Sequence, residues 1–432
     1  MSLEDYGYYR QLMFTYMFIG LLLPFGMRES IYYFTEYPLP VLMRWYYLFV
    51  TLVFIVMSPL ILTYIHSAID GILFHQTIIL LLTAYSYALS ILYDEYLMLS
   101  DKPNLFIQFN FAYQILRGAS ILFAVIFLTS VYDILLVLIV LHSIKIALSM
   151  KEFLFYRAEA NSLSFSTFYS ILRYTLPLGI NKIVGSVGRK YDQIAVTLLL
   201  SPVEYGIYAT GKSISPIFST FIDIKSRVST KRLRSEEDPN KLKELSTQVI
   251  NQQISILIPV IAFLLIFMHE IFDIVYTSAF LESATIATML LIIPLAQIFG
   301  HKYIAQAYDH NSLMLGVIVS ATVINIVFSK MIIAVFGLYG AAIIAIFPVI
   351  VSALVMTLVH TRRYVYIKTI LTTLFTVSLS SLIFAYAIDI LTRTMGLSMS
   401  SRVVLAPAVY ACSVLLYDRY LGDRRIIKSL AT

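Results

Sequence analysis

Eight charged side chains stand inside or near long apolar runs: Arg117, Lys145, Lys182, Arg189 and Lys212, with the carboxylates Glu29, Asp94 and Asp192. A charge at membrane depth costs several kcal/mol and therefore faces a water-filled cavity or a partner. Arg117, Lys145 and Arg189 fall nearest the middle of their runs. Lys182 and Arg189 are seven residues apart, so a helix places them on one face, with Ser186 between them and Asp192-Gln193 one turn on. Gly179, Gly185 and Gly188 permit close helix approach or a bend in the same run. A basic stripe of this kind suits an anionic ligand, and arginine offers a phosphate two parallel donors. The alternative is that Arg189 and Asp192 pair with each other across one turn and only tolerate burial. Lys145 faces either the cavity or a partner on a neighbouring helix. Lys212 follows Gly211 in the outer third of its run and is a further candidate for the cavity wall. Asp192, Glu29 and Asp94 are the carboxylates available to a coupling ion, although Arg28-Glu29 and Asp94-Glu95 could equally be interfacial. His142 alone is intramembrane, the other histidines falling in loops or at the ends of runs. No metal-ligand spacing, catalytic constellation or nucleotide-binding loop is present, so no cofactor is expected.

The elements that must position these residues are membrane spans. The chain has 432 residues, of which 59% are hydrophobic and 13% charged, more apolar surface than a soluble fold can hide. Apolar runs of about 20 residues are needed to cross hydrocarbon. Thirteen are present, at 9–33, 43–65, 76–99, 105–129, 133–155, 174–200, 207–224, 246–268, 283–300, 313–335, 340–360, 367–391 and 402–418. A single cysteine, Cys412, excludes an internal disulfide. The first run is too long for a signal-peptide core and has no basic segment before it.

The formal charge of +6 reports topology and not a nucleic-acid surface. With the N-terminus outside, the cytoplasmic segments 34–42, 100–104, 156–173, 225–245, 301–312, 361–366 and 419–432 hold 17 Lys and Arg, and the external segments hold only Arg393. In the largest cytoplasmic loop, Asp238-Pro239-Asn240 reads as a turn in which Asn240 caps a short helix beginning Lys241.

The chain also repeats itself. Aligning Gly7 with Gly206 places Tyr6 on Tyr205, Asp5 on Glu204, Tyr9 on Tyr208 and Ser2 on Ser201. Both segments lead into an apolar run from outside to inside, a pattern of transporters whose path lies between two related halves. The second turn is preceded by the run 174–200 and the first by none, which predicts a helix upstream of Met1; the alternative is a thirteen-helix protein with a short translocated N-tail.

On these residues the chain resembles the polysaccharide (O-antigen and capsule repeat-unit) flippases of the multidrug/oligosaccharidyl-lipid/polysaccharide exporter superfamily. The resemblance rests on Arg173-Tyr174 before Leu176-Pro177-Leu178, Tyr191-Asp192-Gln193-Ile194, Leu200-Ser201 and Glu204-Tyr205-Gly206-Ile207-Tyr208-Ala209. It includes Asp238 to Leu245 and Gly337-Leu338-Tyr339-Gly340-Ala341-Ala342. It implies an all-α polytopic protein of two pseudo-symmetric lobes around a central cavity. The lobes would be residues 1–155, with five helices and lacking the family's first, and 174–360, with six. Residues 156–173 would link them, 367–418 would form two added helices, and 419–432 a cytoplasmic tail. The implied setting is a bacterial or archaeal cytoplasmic membrane. The implied partners are a lipid-linked anionic glycan, membrane lipids and polysaccharide polymerase machinery.

Three functions compete. The first is a flippase that moves a polyprenyl-diphosphate oligosaccharide between leaflets by alternating access. The second is a cation-coupled multidrug antiporter of the same superfamily, disfavoured by the excess of intramembrane cations over anions. The third is a membrane glycan polymerase or ligase, disfavoured because the longest external loop, His269 to Glu282, has three acids and no arginine.

Overall fold

The computed structural model describes residues 2–402 apart from 32, 33, 35–37, 70, 100–102, 128, 129, 155–164, 217, 220, 223–232, 234, 235, 237, 300–303, 305–310, 399 and 400; beyond 402 it describes Pro407 alone. The described residues are helical and contain no strand. The helices are α1 (Leu3–Leu22), α2 (Met27–Ser30), α3 (Leu39–Ala68), α4 (Phe74–Leu99), α5 (Pro103–Phe127), α6 (Val131–Leu154) and α7 (Phe165–Leu199). They continue as α8 (Pro202–Lys212), α9 (Pro239–Tyr276), α10 (Leu281–Leu290), α11 (Ile292–Phe299), α12 (Asn311–Tyr364) and α13 (Ile367–Thr394). Among the described residues eight stretches are long and apolar enough to cross a membrane, and α1 and α7 are not among them. These two helices carry Arg10 and the Lys182–Asp192 charges, so they require protein or water around them where an apolar helix does not.

Several expected boundaries shift. The run 9–33 is not one span: α1 stops before Pro24, which cannot donate the next backbone bond, and Phe25 and Gly26 take positive φ before α2 begins. Asp238, not Asn240, is the N-cap: it accepts the Asn240 N–H at 2.9 Å, and Pro239 occupies the first helical position, where its missing N–H costs nothing. The expected short loop helix is therefore the first turn of α9, which runs unbroken for 38 residues. Runs 313–335 and 340–360 lie in α12, broken at Gly337, whose φ of 54° and ψ of −130° suit glycine alone. Run 283–300 is divided into α10 and α11. Run 402–418 falls outside the described residues except at Arg402 and Pro407.

The chain divides into two compact units, Met1–Lys190 with Leu200–Gly206, and Tyr191–Leu199 with Ile207–Thr432. In the first, α4 is the central element and packs on α1, α3, α5 and α6. Leu12, Tyr16, Tyr46, Leu80, Leu92 and Leu138 are fully buried there, and the Tyr46 hydroxyl donates to the Ala88 carbonyl at 3.1 Å. In the second, α9 packs along α13 and against α10, α11 and α12. Arg402 joins Glu270 on α9 to Asp389 on α13.

The repeat in the sequence is a repeat in structure. Ser2 and Asp5 form a capping box at the start of α1, with the Ser2 hydroxyl donating to Asp5 at 2.7 Å and the Asp5 N–H to Ser2 at 3.0 Å. Ser201 and Glu204 form the same box before α8, at 2.7 and 3.3 Å. The two turns meet through their glycines. A Cβ added to Gly206 would lie 2.8 Å from the Gly7 Cα, and one added to Gly7 would collide with the Pro202 carbonyl. Only glycine at both positions allows the backbones to come so close.

Candidate functional site

The expected cations separate into three environments. The first is the core of the Met1–Lys190 unit. Asp94 on α4 and Lys145 on α6 lie 51 residues apart, and Lys145 Nζ donates to both Asp94 carboxylate oxygens, at 2.8 and 2.9 Å. The lysine side chain is 5% exposed and its ammonium stands 4.0 Å from the centre of the Tyr113 ring. Lys145 therefore has its partner on a neighbouring helix. Glu95, the next residue on α4, is buried and pairs with Arg28 on α2. The adjacency of Arg28-Glu29 and Asp94-Glu95 was the signal for this second ion pair, though nothing in the sequence said which member of each would meet. The side chain of Glu29 lies outside the described residues.

Arg117 belongs to the same region but has a different partner. Its Nη2 donates to the Tyr16 hydroxyl at 2.9 Å. Around Tyr16 stand Tyr87 and His142, at ring separations of 5.7 and 6.4 Å. His142 Nδ1 meets the Tyr113 hydroxyl at 3.0 Å. These tyrosines and His142 were not singled out as ligands from the sequence. Their type is common in membrane belts, and their convergence depends on the packing of α1, α4, α5 and α6.

The second environment lies in the Tyr191–Leu199 and Ile207–Thr432 unit. Asp192 is 3% exposed and accepts from both Lys212 and the Tyr208 hydroxyl. Tyr208 is the residue that the repeat aligns with Tyr9, and its oxygen also stands 3.5 Å from the Ala341 carbonyl. The partners of Asp192 are thus Lys212 and Tyr208, in place of the expected Arg189. A residue in contact with α8 and α12 was not readable from helix spacing alone. Next to Asp192, the Tyr191 hydroxyl bonds the Ser329 hydroxyl at 2.8 Å.

The third environment is the face of α7 bearing Lys182, Ser186 and Arg189. Ser186 is buried, Lys182 is half-buried and Arg189 is exposed. Gly185 leaves room for the Arg189 guanidinium to lie along its own helix, since a Cβ there would come 3.3 Å from Nη1. Arg189 is ten residues from the end of α7 at Leu199, about 15 Å along the axis at about 1.5 Å per residue. Among the described residues no carboxylate pairs with Arg189. Within a membrane, an exposed guanidinium would require water or an anion beside it.

Outside the spans, the Ser2 hydrogen bonds hold the Asp5 carboxyl below its usual range. Among the described residues no three His, Cys, Asp or Glu side chains converge as metal ligands.

Comparison with known proteins gives this arrangement its relatives. The chain is similar in fold to the lipid II flippase MurJ in an inward closed conformation, with a TM-score of 0.70 and 14% identity over 97% of each chain. It is similar also to an inward-facing multidrug resistance MATE family transporter of the MOP superfamily, with a TM-score of 0.61 and 14% identity over 82% of this chain and 87% of that one. No curated protein sequence matches. The family model for polysaccharide biosynthesis proteins matches residues 1–285, about two-thirds of the chain. The chain therefore belongs to the polysaccharide biosynthesis protein family, a multi-pass membrane protein with a fold similar to that of these two proteins.

Proposed function

We propose that the protein moves a polyprenyl-diphosphate-linked oligosaccharide, a repeat unit of O-antigen, capsule or exopolysaccharide, from the cytoplasmic to the outer leaflet. The observation that carries this reading is Arg189, exposed on α7 with no carboxylate partner among the described residues, in a chain of the polysaccharide biosynthesis family. A diphosphate supplies the anion that such a guanidinium lacks, with two parallel hydrogen bonds. Lys182, one face-length away, adds a second cation to the same stripe. Lobes at 1–155 and 174–360 alternate access to that stripe, with the residues preceding Leu3 outside and the chain's last residues in the cytoplasm. The diphosphate and sugars cross the membrane while the polyprenyl tail stays in lipid. No covalent bond is made or broken.

The test is transport of a fluorescent polyprenyl-diphosphate oligosaccharide in proteoliposomes, read by the fraction of label accessible to an external quencher. Arg189→Ala is expected to lower the rate at least tenfold at equal protein incorporation, and Arg189→Lys to keep part of it. A wild-type rate equal to that of empty liposomes overturns the reading. The MATE-like fold favours one other reading, a cation-coupled drug antiporter using Asp192 or Asp94. Accumulation of a cationic dye against a sodium or proton gradient, with no glycan-lipid transport, would establish that reading instead.

A further inference from the structure

Two arginines at one end of α13 share two carboxylates. Arg393, in the last turn of α13, donates through Nε to both oxygens of Asp389, at 3.0 Å each, and its Nη2 stands 3.7 Å from Glu270 on α9. Arg402 donates to Glu270 at 2.8 Å and also to Asp389. The two positive and two negative charges balance, but their depths differ. The Arg393 side chain is 61% exposed, whereas those of Arg402, Asp389 and Glu270 are 10%, 10% and 13% exposed. The local sequence explains how a residue beyond the helix returns to it. Gly396 takes a φ of 65°, and the N–H groups of Gly396 and Leu397 donate back to the Arg393 and Thr392 carbonyls at 3.0 and 3.3 Å. This left-handed glycine stop closes the helix end and reverses the chain. The Ser398 hydroxyl accepts the Ser401 N–H at 3.3 Å, and its carbonyl accepts the Arg402 N–H at 3.0 Å, which starts a new turn. Arg402 Nε then lies 3.4 Å from the Thr392 hydroxyl, back against α13.

The other end of α13 is tied to the same partner. The Tyr366 N–H donates to the Thr247 hydroxyl of α9 at 2.9 Å, and the Lys243 ammonium stands 4.7 Å from the centre of the Tyr366 ring. Between the ends, Phe263 and Phe267 of α9 form a buried cluster with Ala385 and Ile388 of α13. Two apolar helix faces part in lipid without a hydrophobic penalty. Parting at the Arg402 end is different, because it leaves an arginine and two carboxylates unpaired in buried surroundings, which is strongly unfavourable. We propose that Arg402 is a latch that makes α9 and α13 one moving body. The proposal rests on the transport reading above and deepens it: substrate crosses without α13 leaving α9, so the motion that alternates access lies elsewhere in the chain.

Hydrogen exchange of the full chain in detergent tests the latch. Arg402→Met is expected to speed exchange of the Met395–Leu397 amides about tenfold or more, because protection falls with the free energy of local opening. Arg393→Ala should change it less than about threefold, as loss of an exposed charge does. An Arg402→Met effect no larger than that of Arg393→Ala overturns the latch. Transport in proteoliposomes tests the moving body, with Thr247→Cys and Tyr366→Cys in a Cys412→Ser chain tied by a short reducible cross-linker. The tied protein is expected to keep at least about half the rate it shows with its thiols free, since a cross-link inside one rigid body blocks no hinge. A lower rate, restored by reducing the cross-linker, means that α13 leaves α9 and overturns the proposal. If Arg402→Met does not fold, the cross-link decides, because it leaves Arg402 in place. If the wild type moves no glycan lipid, the transport reading fails, and hydrogen exchange still decides the latch.

Discussion

Two buried ion pairs in this protein solve the same problem with different degrees of closure. Lys145 and Asp94 pair between α6 and α4 with a bidentate contact and an aromatic ring over the ammonium. Lys212 and Asp192 pair with the carboxylate buried at 3% exposure, while the lysine side chain remains 18% exposed. In the first pair the cation is the more deeply buried member, at 5% against 24% for Asp94. In the second it is the anion. The difference shows which partner each site cannot release: an unpaired Lys145 is held in the core, but an unpaired Lys212 can extend its stem toward water. Arg189 completes the series as a cation for which no carboxylate partner stands among the described residues.

The largest effect should come from breaking the tighter pair. Asp94→Asn leaves Lys145 charged and buried, and is expected to destabilise the protein by about 3–5 kcal/mol, seen as a loss of folded yield and of the thermal midpoint in detergent. Asp94→Asn with Lys145→Met should recover most of that. Equal destabilisation by the single and double variants would mean that the pair is not the reason for the loss. Next comes the crossing of the two repeat turns. Gly206→Val must push apart the Gly7 and Gly206 backbones, at about 1–3 kcal/mol, and Ser201→Ala should have a milder effect through the cap alone. A Gly206→Val protein with wild-type melting would show that the close approach is dispensable. Asp192→Asn should cost about 1–2 kcal/mol, less than Asp94→Asn because Lys212 can reach water; the reverse ranking would break the comparison. Arg189→Ala should change stability by no more than about 0.5 kcal/mol while lowering the proposed transport at least tenfold.

The smallest effect is local. Because Ser2 lowers the Asp5 carboxyl, its capping contribution is present above the ordinary carboxylate range and is lost as pH falls through the lowered value. Faster hydrogen exchange of the first amides of α1 at acid pH, removed by Asp5→Asn, would show it.

Much of the fold was legible in residue order. Hydrophobic length marks the spans, because a helix in lipid must be apolar for about 20 residues. The turn pair Ser2–Gly7 and Ser201–Gly206 was legible because capping is local: a serine, an acid three residues on and a glycine fix their own backbone. The break at Gly337 was legible, since the runs 313–335 and 340–360 stop on either side of it. The one at Pro24–Gly26 was passed over in reading 9–33 as one run, although proline acts on its own turn. Lys182, Ser186 and Arg189 could be placed on one face by spacing.

The partners of the charges were not legible. Helix periodicity says which residues share a face and nothing about which helix that face will meet. Asp192 is three residues from Arg189 and twenty from Lys212, yet α8 brings Lys212 to it. Asp94 and Lys145 are 51 residues apart, and only the packing of α4 on α6 joins them. The sequence by itself determined a membrane-spanning, internally repeated chain with charges too costly to leave in lipid. The tertiary structure decided which of those charges neutralise one another and which stay unpaired, because that depends on contacts between helices and a single helix contains none.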